Sequence, residues 1–338
     1  MSFLAGLLID KFTYHLPLYR QHQRLLDCGV KLSRGTLTNL VHGTIALLEP
    51  IYFAVLSSIL QSKVLLMDET PIKAGRASPG KLKQGYFWPI YGDKDEIAFP
   101  FATSRAEKVV REVLGTFCGV LLTDGYKVYE KYCEKVPGIV HAQCWAHTRR
   151  KFVDAYKAEP VLAELAVDKI GELYKVEARI REMRLECEEK RRYRGEHAAP
   201  VVDDFFKWLN GAFAQQVLLA SNRFAKAANY ALHREQALRV FLDHPEVEID
   251  TNKDERALRP IPMGRKNWLF CSTELGGRYV GIAQTLIQSC RLQGVDPWTY
   301  LIDVLQRIDT HPAFDVHLLT PRLWKENFTS NPIGSDLR

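Results

Sequence analysis

The 338-residue chain contains 46% hydrophobic and 25% charged residues, which is ordinary for a globular protein and excludes a wholly disordered one. Its net charge of +6 is compatible with a polyanionic partner but identifies none. The 7 cysteines form no C-x-x-C pair, so we expect a reduced, cytoplasmic protein without a disulfide framework.

The N-terminal segment, residues 1–60, is predicted to be helical. Its first residues, MSFLAGLLIDKF, lack the basic start of a signal peptide, and no apolar run approaches the about 18 residues of a membrane span. Residues 14–48 predict two helices broken at Cys28 and Gly29, with Ser33 as the cap of the second helix. The spacing fits either a helix-turn-helix or a plain helical hairpin.

The next segment, residues 61–158, alternates strand-like and helical patterns. The strand-like runs are KVLLMDET, GYFWPIYG, EIAFPFA, GVLLTDGY and GIVHAQC. The helical runs are SRAEKVVREVLGTF, YKVYEKYCEK and WAHTRRKFVDAYK. The order β-β-β-α-β-α-β-α predicts an α/β fold of the RNase H-like kind, with a mixed five-stranded sheet flanked by helices.

The remaining segments are predicted to be mainly helical. Residues 159–249 contain helical patterns and no strand pattern, which indicates an all-helical insertion into the α/β core, with one long helix running from Ala166 to Arg194. Residues 250–295 complete the core and carry a glutamate helix. Residues 296–338 form a C-terminal helical segment with a loose tail from about Thr310.

Two aspartates directly follow apolar strands. Asp68 comes after VLLM and Asp124 after VLLT, and each alone fits a simple turn residue. In an RNase H-like sheet the first and fourth strands are neighbours, so both carboxylates would meet at one edge. Two close anions favour a bound cation, and carboxylates without Cys or His favour Mg²⁺ or Mn²⁺.

A third carboxylate is expected from Glu255 in the run DTNKDERALRP. The alternative interpretation is a capping box, with Asn252 as the N-cap and Glu255 three residues later. The basic surroundings favour a site for metal and phosphodiester. The predicted DNA-binding residues are Arg149, Arg150, Arg256, Arg259, Arg265, Lys266, Asn267 and Trp268.

Six motifs in order give the chain a resemblance that covers most of its length: HLPLYRQ, LLMDET, TDGY, CWAHTRRKF, DTNKDERALRP and GRKNWLF. Together they resemble the IS66 family of insertion-sequence transposases. The resemblance implies a DDE-class enzyme with Asp68, Asp124 and Glu255 as catalytic metal ligands. Thr251 departs from the usual DNN start of the last acidic motif. From the resemblance we also expect this chain to lack the family's N-terminal DNA-binding and zinc-finger-like region before HLPLYRQ.

The pair Cys144 and His147 has the spacing C-x-x-H. Zinc would need four ligands, and no second pair has ligand spacing, so a structural motif of a buried Cys and a hydrogen-bonded His is the default interpretation. The 131 residues between Asp124 and Glu255 exceed a simple RNase H-like ending, and the helical insertion accounts for the excess.

The function implied is metal-dependent cleavage of DNA at element ends, followed by 3′-OH strand transfer with two Mg²⁺ or Mn²⁺ ions. The expected partners are double-stranded DNA, further copies of the chain on DNA, and accessory proteins encoded by the element, without a membrane. We expect a cytoplasmic protein that is nucleoid-associated when bound. A nuclease or resolvase of the same fold, and a non-catalytic DNA-binding protein, are the alternatives.

Overall fold

The structure is a computed structural model that describes residues 1–215, 219, 221–269 and 271–335. The chain divides into two compact units. Unit 1 comprises residues 1–117 and 254–338, and unit 2 comprises residues 118–253. Three predicted segments end outside the described residues. These ends are Gln216 and Val217, Phe270, and residues 336–338.

Unit 1 begins with three helices: α1 (Ser2–Phe12), α2 (Leu18–Asp27) and α3 (Arg34–Ile59). The break at Gly29, where φ is 81°, and the cap at Ser33, whose hydroxyl accepts the Thr36 N–H at 2.9 Å, confirm the two predicted helices. The sequence analysis placed α1 inside the helical segment 1–60 without recognising it as a separate helix. Its apolar residues are buried on several sides, so it lacks the polar face that marks an amphipathic helix.

The strands of unit 1 form two antiparallel arrangements. Strands β1 (Val64–Met67), β4 (Ile90–Gly92) and β5 (Glu96–Ala98) pair in the order β5-β4-β1. A separate three-stranded sheet has the order β2-β3-β6, and helix α4 follows it. The ranges are β2 Thr70–Ser78, β3 Lys81–Phe87, β6 Phe101–Ala102 and α4 Glu107–Leu114.

Two predicted strands are each divided in the structure. The run GYFWPIYG spans the end of β3 and all of β4, and EIAFPFA spans β5 and β6. The divisions fall at Pro89 and Pro100, whose nitrogens carry no N–H for a strand ladder. Their carbonyl oxygens still accept hydrogen bonds, since that of Pro100 accepts the Trp88 N–H at 2.9 Å. Strand β2 was not predicted, because its sequence TPIKAGRAS has a proline, a glycine and two basic residues.

Unit 2 opens with the parallel pair of strands β7 (Gly119–Thr123) and β8 (Ile139–Gln143), joined through helix α5 (Lys127–Lys135). Helix α6 (Trp145–Val153) follows β8 directly. The other regular elements of the unit, in the residues that the structure describes, are all helices. The elements are α7 Pro160–Met183, α8 Cys187–Tyr193, a π-helical turn Arg194–Ala198, α9 Ala199–Gln215, α10 Arg223–Leu232 and α11 Glu235–Asp243.

The long helix predicted from Ala166 to Arg194 is wrong, because the structure breaks it after Met183. Arg184 adopts the left-handed conformation, with φ 53° and ψ 40°. Its N–H donates to Arg181, and the Leu185 N–H donates back to Ile180 at 3.0 Å, which closes the helix end. Neither glycine nor proline marks this position, so the sequence pattern carries no stop signal.

A buried arginine ties the helices of unit 2 together. Arg194 has a fully buried side chain, and its Nε and Nη2 donate to the Glu177 carboxylate at 2.8 and 2.9 Å. Its Nη1 donates to the carbonyls of Phe241 at 2.7 Å and Val247 at 3.0 Å. One guanidinium therefore pairs with a buried carboxylate and also satisfies backbone groups at the end of α11.

A series of helices follows, of which α12 begins in the last two residues of unit 2 and the others belong to unit 1. They are α12 Asn252–Leu258, α13 Pro260–Trp268, α14 Glu274–Leu292, α15 Pro297–Arg307, a 3₁₀ segment Ala313–Leu319 and α16 Pro321–Phe328. Helix α14 is the central one. It lies against β5, where Thr285 accepts the Phe99 N–H at 3.0 Å and Ser289 bonds both backbone groups of Ile97. Helix hydroxyls thus satisfy the edge of this strand.

The close approach of α14 depends on two glycines. A methyl group at Gly281 would lie 2.3 Å from the carbonyl oxygen of Phe99, and one at Gly277 would lie 2.7 Å from the Phe101 ring. Both distances are far inside van der Waals contact. The helix can therefore sit this close to the strand only with glycine at these positions.

The C-terminal tail is ordered further than predicted. It is helical to Phe328, so the expectation of a loose tail from Thr310 is wrong for the described part. The buried Asp303 carboxylate holds it, accepting from Trp324 Nε1 at 2.8 Å and from the Ile333 N–H at 2.6 Å. A single buried acid thereby joins α15, α16 and the following chain, and polar residues in a tail do not reveal such an anchor.

Helix α3 is long and apolar enough to cross a membrane by length and composition, the one such helix among the described residues. Its apolar residues pack inside unit 1, where Val41, Leu48 and Val55 are buried. Buried core helices of globular proteins pass the same test. The described residues contain antiparallel strands, a parallel strand pair and helical N- and C-terminal segments, so the predicted α/β class with helical termini is confirmed.

Candidate functional site

Asp68 lies immediately after the fully buried strand β1. Its Oδ1 accepts the N–H of Glu69 at 2.7 Å, and its own N–H donates to Pro89 at 3.4 Å. The side chain is half-buried at the strand end. The neighbouring carboxylate of Glu69 is paired with Arg105, so its charge is balanced locally.

Asp254 is the acidic residue that the sequence analysis overlooked. It is fully buried in α12, and neither carboxylate oxygen has a hydrogen-bond partner among the described residues. Burial raises its pKa well above the usual range, and the negative charges of Asp68 and Glu255 raise the pKa further. The structure thus brings Asp68 and Glu255, which are 187 positions apart in the chain, to one acidic neighbourhood.

The chemistry of this neighbourhood suits a hard cation. Its side chains offer carboxylate oxygens, the ligands that Mg²⁺ prefers, and their mutual repulsion is the kind that a bound cation relieves. Within the described part of the chain, however, no three His, Cys, Asp or Glu side chains are already grouped so that they could hold a metal ion. The ligand set Asp68, Asp124 and Glu255 stays a prediction.

Asp124 belongs to unit 2, directly after β7. Its Oδ1 accepts the Tyr126 N–H at 2.8 Å, which fixes the side chain in a tight turn. A Cβ atom at Gly125 would lie 2.1 Å from the Tyr230 hydroxyl, so this turn accepts only glycine. The charge of Asp124 contributes to the raised pKa of Tyr230, which places the phenol beside this strand end.

The surroundings of Tyr230 are basic. The Lys151 ammonium lies 5.5 Å from the centre of the Tyr230 ring, and the Arg234 guanidinium lies 4.2 Å from it. A cavity of about 540 Å³ is lined by Lys151, Arg223, Lys226 and Tyr230, with one carboxylate, Asp154. The sequence analysis missed Arg223 and Lys226, because residues from α6 and α10 form the surface only after folding.

Arg149 and Arg150 lie on the exposed part of α6. They line a second cavity of unit 2, of about 610 Å³, together with Tyr174 and Asn252. Burial raises the pKa of Tyr174, and the nearby Asp250 carboxylate raises it further. The phenol therefore remains neutral and keeps its hydroxyl proton at physiological pH. Two arginines beside a phenol form a surface suited to phosphate oxygens.

The predicted DNA-binding residues after Glu255 in the sequence differ in their exposure. Arg256, Arg259, Lys266 and Asn267 are exposed. Arg265 is half-buried and donates to the carbonyl oxygen of Pro71, and burial lowers its pKa. Arg265 therefore has a structural bond to β2, which the sequence did not predict. Trp268 is half-buried and lines a cavity of unit 1.

Cys144 is buried in unit 2, and its sulfur accepts from the Thr251 N–H at 3.3 Å and from the Thr251 hydroxyl at 3.4 Å. Burial raises the pKa of this thiol. The buried threonine at the DTN position thus has a packing partner. The arrangement fits an architectural cysteine, and no metal-holding group that includes His147 is found in the described part of the chain.

The fold and these surfaces define a class: an α/β protein with acids at strand ends and basic surfaces in both units. Comparison with known families then gives the identity. Residues 1–279 match the transposase IS66 family, and residues 285–321 match the IS66 C-terminal element. The chain belongs to the IS66 transposase family, as its motifs predicted.

Three similar proteins come from Sinorhizobium fredii (strain NBRC 101917 / NGR234), and each is named as an uncharacterized protein. The chain is 32% identical to y4hP over 96% of its length, 31% identical to y4qI over 98%, and 32% identical to y4jD over 95%. It spans 62%, 63% and 65% of the lengths of these relatives. Because the chain covers less than two thirds of each relative, the activity of the whole protein can only be proposed.

Proposed function

We propose that this chain carries the catalytic part of an IS66 transposase, which cleaves DNA at the ends of an element and joins the freed 3′-OH to target DNA. The observation that supports it most is the acidic neighbourhood of unit 1, where Asp68 and Glu255 both act on the buried Asp254. Acids from a strand end and a distant helix are brought together there at an electrostatic cost, which is typical of functional sites.

Asp68, Glu255 and Asp124 are the residues proposed to hold Mg²⁺ or Mn²⁺, in an arrangement of the RNase H-like kind. Bound metal ions would activate the attacking oxygen and stabilise the leaving 3′ oxygen. The protein's own task is to fix the carboxylates. The Glu69 N–H does this for Asp68, and the Tyr126 N–H does it for Asp124.

Double-stranded DNA is the proposed partner. The exposed residues Arg256, Arg259 and Lys266 in unit 1, and the cavity of Lys151 and Lys226 in unit 2, supply positive charge for phosphates. Assembly of several copies on DNA, accessory proteins and a cytoplasmic, nucleoid-associated location complete the proposal.

The test is a metal-dependent nicking and joining assay with residues 1–338. Supercoiled plasmid is incubated with Mg²⁺ or Mn²⁺, and joining is measured with a labelled duplex that carries a pre-cut 3′ end of the element. We expect both activities in the unaltered chain and neither in Asp68→Asn or Glu255→Gln. Asp203→Asn and Glu326→Gln, which alter exposed acids of unit 2 and unit 1, serve as matched controls.

The outcomes separate the alternatives. Nicking without joining by the unaltered chain would indicate a nuclease or resolvase. Binding without either reaction, with or without the two metals, would indicate a non-catalytic DNA-binding protein. Nicking that persists in Asp68→Asn would remove this residue from the reaction and with it the proposed site.

A further inference from the structure

Unit 1 contains a partly open cavity of about 240 Å³ whose lining includes none of the acidic residues discussed above, and we call it the Trp268 cavity. Helices α1, α2, α3, α13 and α14 contribute to it. Its lining residues are Lys11, Phe12, Leu18, Thr38, Val41, His42, Ile45, Trp268, Cys271, Ser272, Thr273, Gly276, Tyr279 and Val280. The volume is below the range of about 300–1,000 Å³ typical of sites for drug-sized ligands, so a single flat ring system suits it.

The lining is divided by chemistry. Phe12, Val41 and Ile45 are buried and form an apolar floor. Two half-buried aromatic residues, His42 and Tyr279, stand edge to face with ring centres 5.1 Å apart, and the Trp268 indole is a third. Aromatic side chains of this kind are the platforms on which unpaired bases stack.

One lysine supplies the basic group of the cavity, and burial lowers the pKa of this Lys11 ammonium, so a nearby anion would stabilise its charge. Lys11 is the one Lys or Arg in the lining, and no carboxylate is among the lining residues. Lys11 also has no ion pair with a carboxylate in the described part of the chain. Its charge contributes to lowering the pKa of His42, which places the ammonium close to the imidazole. An unpaired ammonium beside aromatic rings favours an anionic, planar ligand.

Two neighbouring features favour a phosphate in the same place. The N-terminus of the 19-residue helix α14 reaches the cavity at Thr273 and Gly276. The Thr273 hydroxyl already accepts the Gly276 N–H at 2.9 Å, so the helix contributes its dipole rather than a free donor at this position. Trp268 also follows directly after the exposed Lys266 and Asn267. A DNA backbone held by Lys266 would therefore pass close to the opening.

We propose that the Trp268 cavity receives one unpaired nucleotide of DNA, with its base against Tyr279 and Trp268 and its phosphate toward Lys11. The inference rests on the proposed function and extends it: the protein would distinguish DNA with an extrahelical or frayed nucleotide from fully paired duplex. The energy of taking a base from the stack would be offset by stacking in the cavity.

The experiment compares two DNA probes by fluorescence anisotropy in the absence of added metal. One is a blunt duplex, and the other is the same duplex with a single 3′-overhanging 2-aminopurine nucleotide. We expect about five- to tenfold tighter binding of the overhang, with quenching of 2-aminopurine fluorescence by stacking. Lys11→Met and Tyr279→Leu should remove the preference and leave blunt-duplex affinity within about twofold of the original.

Controls keep the result interpretable. Lys63→Met removes an exposed lysine outside the cavity and should change nothing. Tyr279→Phe keeps the ring and should keep the quenching, even if Tyr279→Leu proves unstable. Free dAMP is the third probe, since the same chemistry would recognise a soluble nucleotide.

The binding results distinguish a failure of the cavity assignment from a failure of the proposed function. Equal affinity for blunt and overhanging DNA would overturn the cavity assignment alone and leave the proposed function intact. Absence of binding to any DNA would overturn both. Binding of dAMP as tight as binding of the overhang would assign the cavity to a free nucleotide and contradict the DNA assignment.

Discussion

The two predicted catalytic aspartates occupy similar positions in sequence and different surroundings in structure. Asp68 ends a buried strand beside the buried acid Asp254, whose carboxylate has no hydrogen-bond partner among the described residues. Asp124 ends a buried strand beside Tyr230, which lies between the cationic groups of Lys151 and Arg234.

This difference separates two tasks that a DNA strand-transfer enzyme must combine. Surroundings rich in carboxylates favour cations, and surroundings rich in cations and aromatic rings favour phosphates and bases. We infer that the Asp68 side of the proposed site contributes mainly to metal binding. In the proposed function, the cations and the phenol around Asp124 would add contacts to DNA.

The largest expected effect is the loss of activity in Asp68→Asn, Asp124→Asn and Glu255→Gln. Each change should lower nicking and joining by about 10³-fold or more, because a metal contributes several kcal/mol to transition-state stabilisation. The melting temperature in the absence of metal should stay level or rise for Asp68→Asn and Glu255→Gln, since removing one charge relieves repulsion with Asp254.

Glu255→Ala distinguishes the catalytic role from the capping box. A cap would lose about 1 kcal/mol of stability and retain part of the activity. A Glu255→Ala protein that melts lower but still joins DNA would make this glutamate a cap, and the third ligand would then have to be sought elsewhere.

The next effect concerns the helices that support the Asp124 side. Glu177→Ala should destabilise unit 2 by about 3–5 kcal/mol, because Arg194 would keep a buried charge without its carboxylate. Denaturant unfolding followed by circular dichroism measures this. Glu188→Ala removes the partner of Arg191 in an exposed pair and should leave the stability of unit 2 nearly unchanged. Equal losses in both variants would contradict the importance of burial.

A pH effect is expected from His141, which lies on β8 and shares a hydrogen bond of 2.9 Å with the Thr123 hydroxyl. Burial, aided by Arg234, lowers its pKa to about 4 from the ordinary 6.5. The unfolded chain therefore takes up this proton first as pH falls. The contribution of neutral His141 to the free energy of unfolding is therefore fully present above pH 6.5 and is lost as the pH falls toward 4.

In His141→Gln, the decrease in the free energy of unfolding on acidification should be smaller by about 2 kcal/mol, a value reduced to allow for partial exposure of the ring. Urea unfolding at several pH values between 4 and 7 checks it. His317→Gln is the control on a different element. An unchanged acid sensitivity in His141→Gln would assign the effect to other groups.

The smallest effect lies in the salt dependence of DNA binding. Arg259→Ala with Lys266→Ala, and Lys151→Ala with Lys226→Ala, should each reduce the slope of log K against log salt by about 1.8, at about 0.9 for each lost phosphate contact. Lys175→Ala with Arg179→Ala alters two lysine and arginine residues of surface ion pairs and is the matched control. An unchanged slope would remove that pair from the DNA path.

The sequence predicted those elements whose local signals agree with the fold. The cap at Ser33, the break at Gly29 and the apolar strands before Asp68 and Asp124 all carry such signals, and the structure contains each of them. The break at Arg184 and the order of the tail carry none. They depend on tertiary partners, such as Asp303 for the tail, that only folding supplies.

Some residues of the candidate site were predicted from the sequence, and others were recognised only in the structure. Strand-end position and motif order pointed to Asp68, Asp124 and Glu255. Asp254 was overlooked because an acid on a short polar helix is ordinarily exposed. Arg265 stays a predicted DNA-binding residue, and its bond to the Pro71 carbonyl is an additional structural contact that residue type alone does not reveal.

Helix α14 has a consequence for how this sequence can change over time. At Gly277 and Gly281 even one added methyl group meets Phe101 or the Phe99 backbone. Random mutagenesis of the helix should therefore recover substitutions at exposed positions such as Leu275 and Arg278 and almost none at the two glycines. A variant library of α14 should therefore show two positions without tolerated substitutions, opposite Phe99 and Phe101 in the segment from the end of β5 to β6.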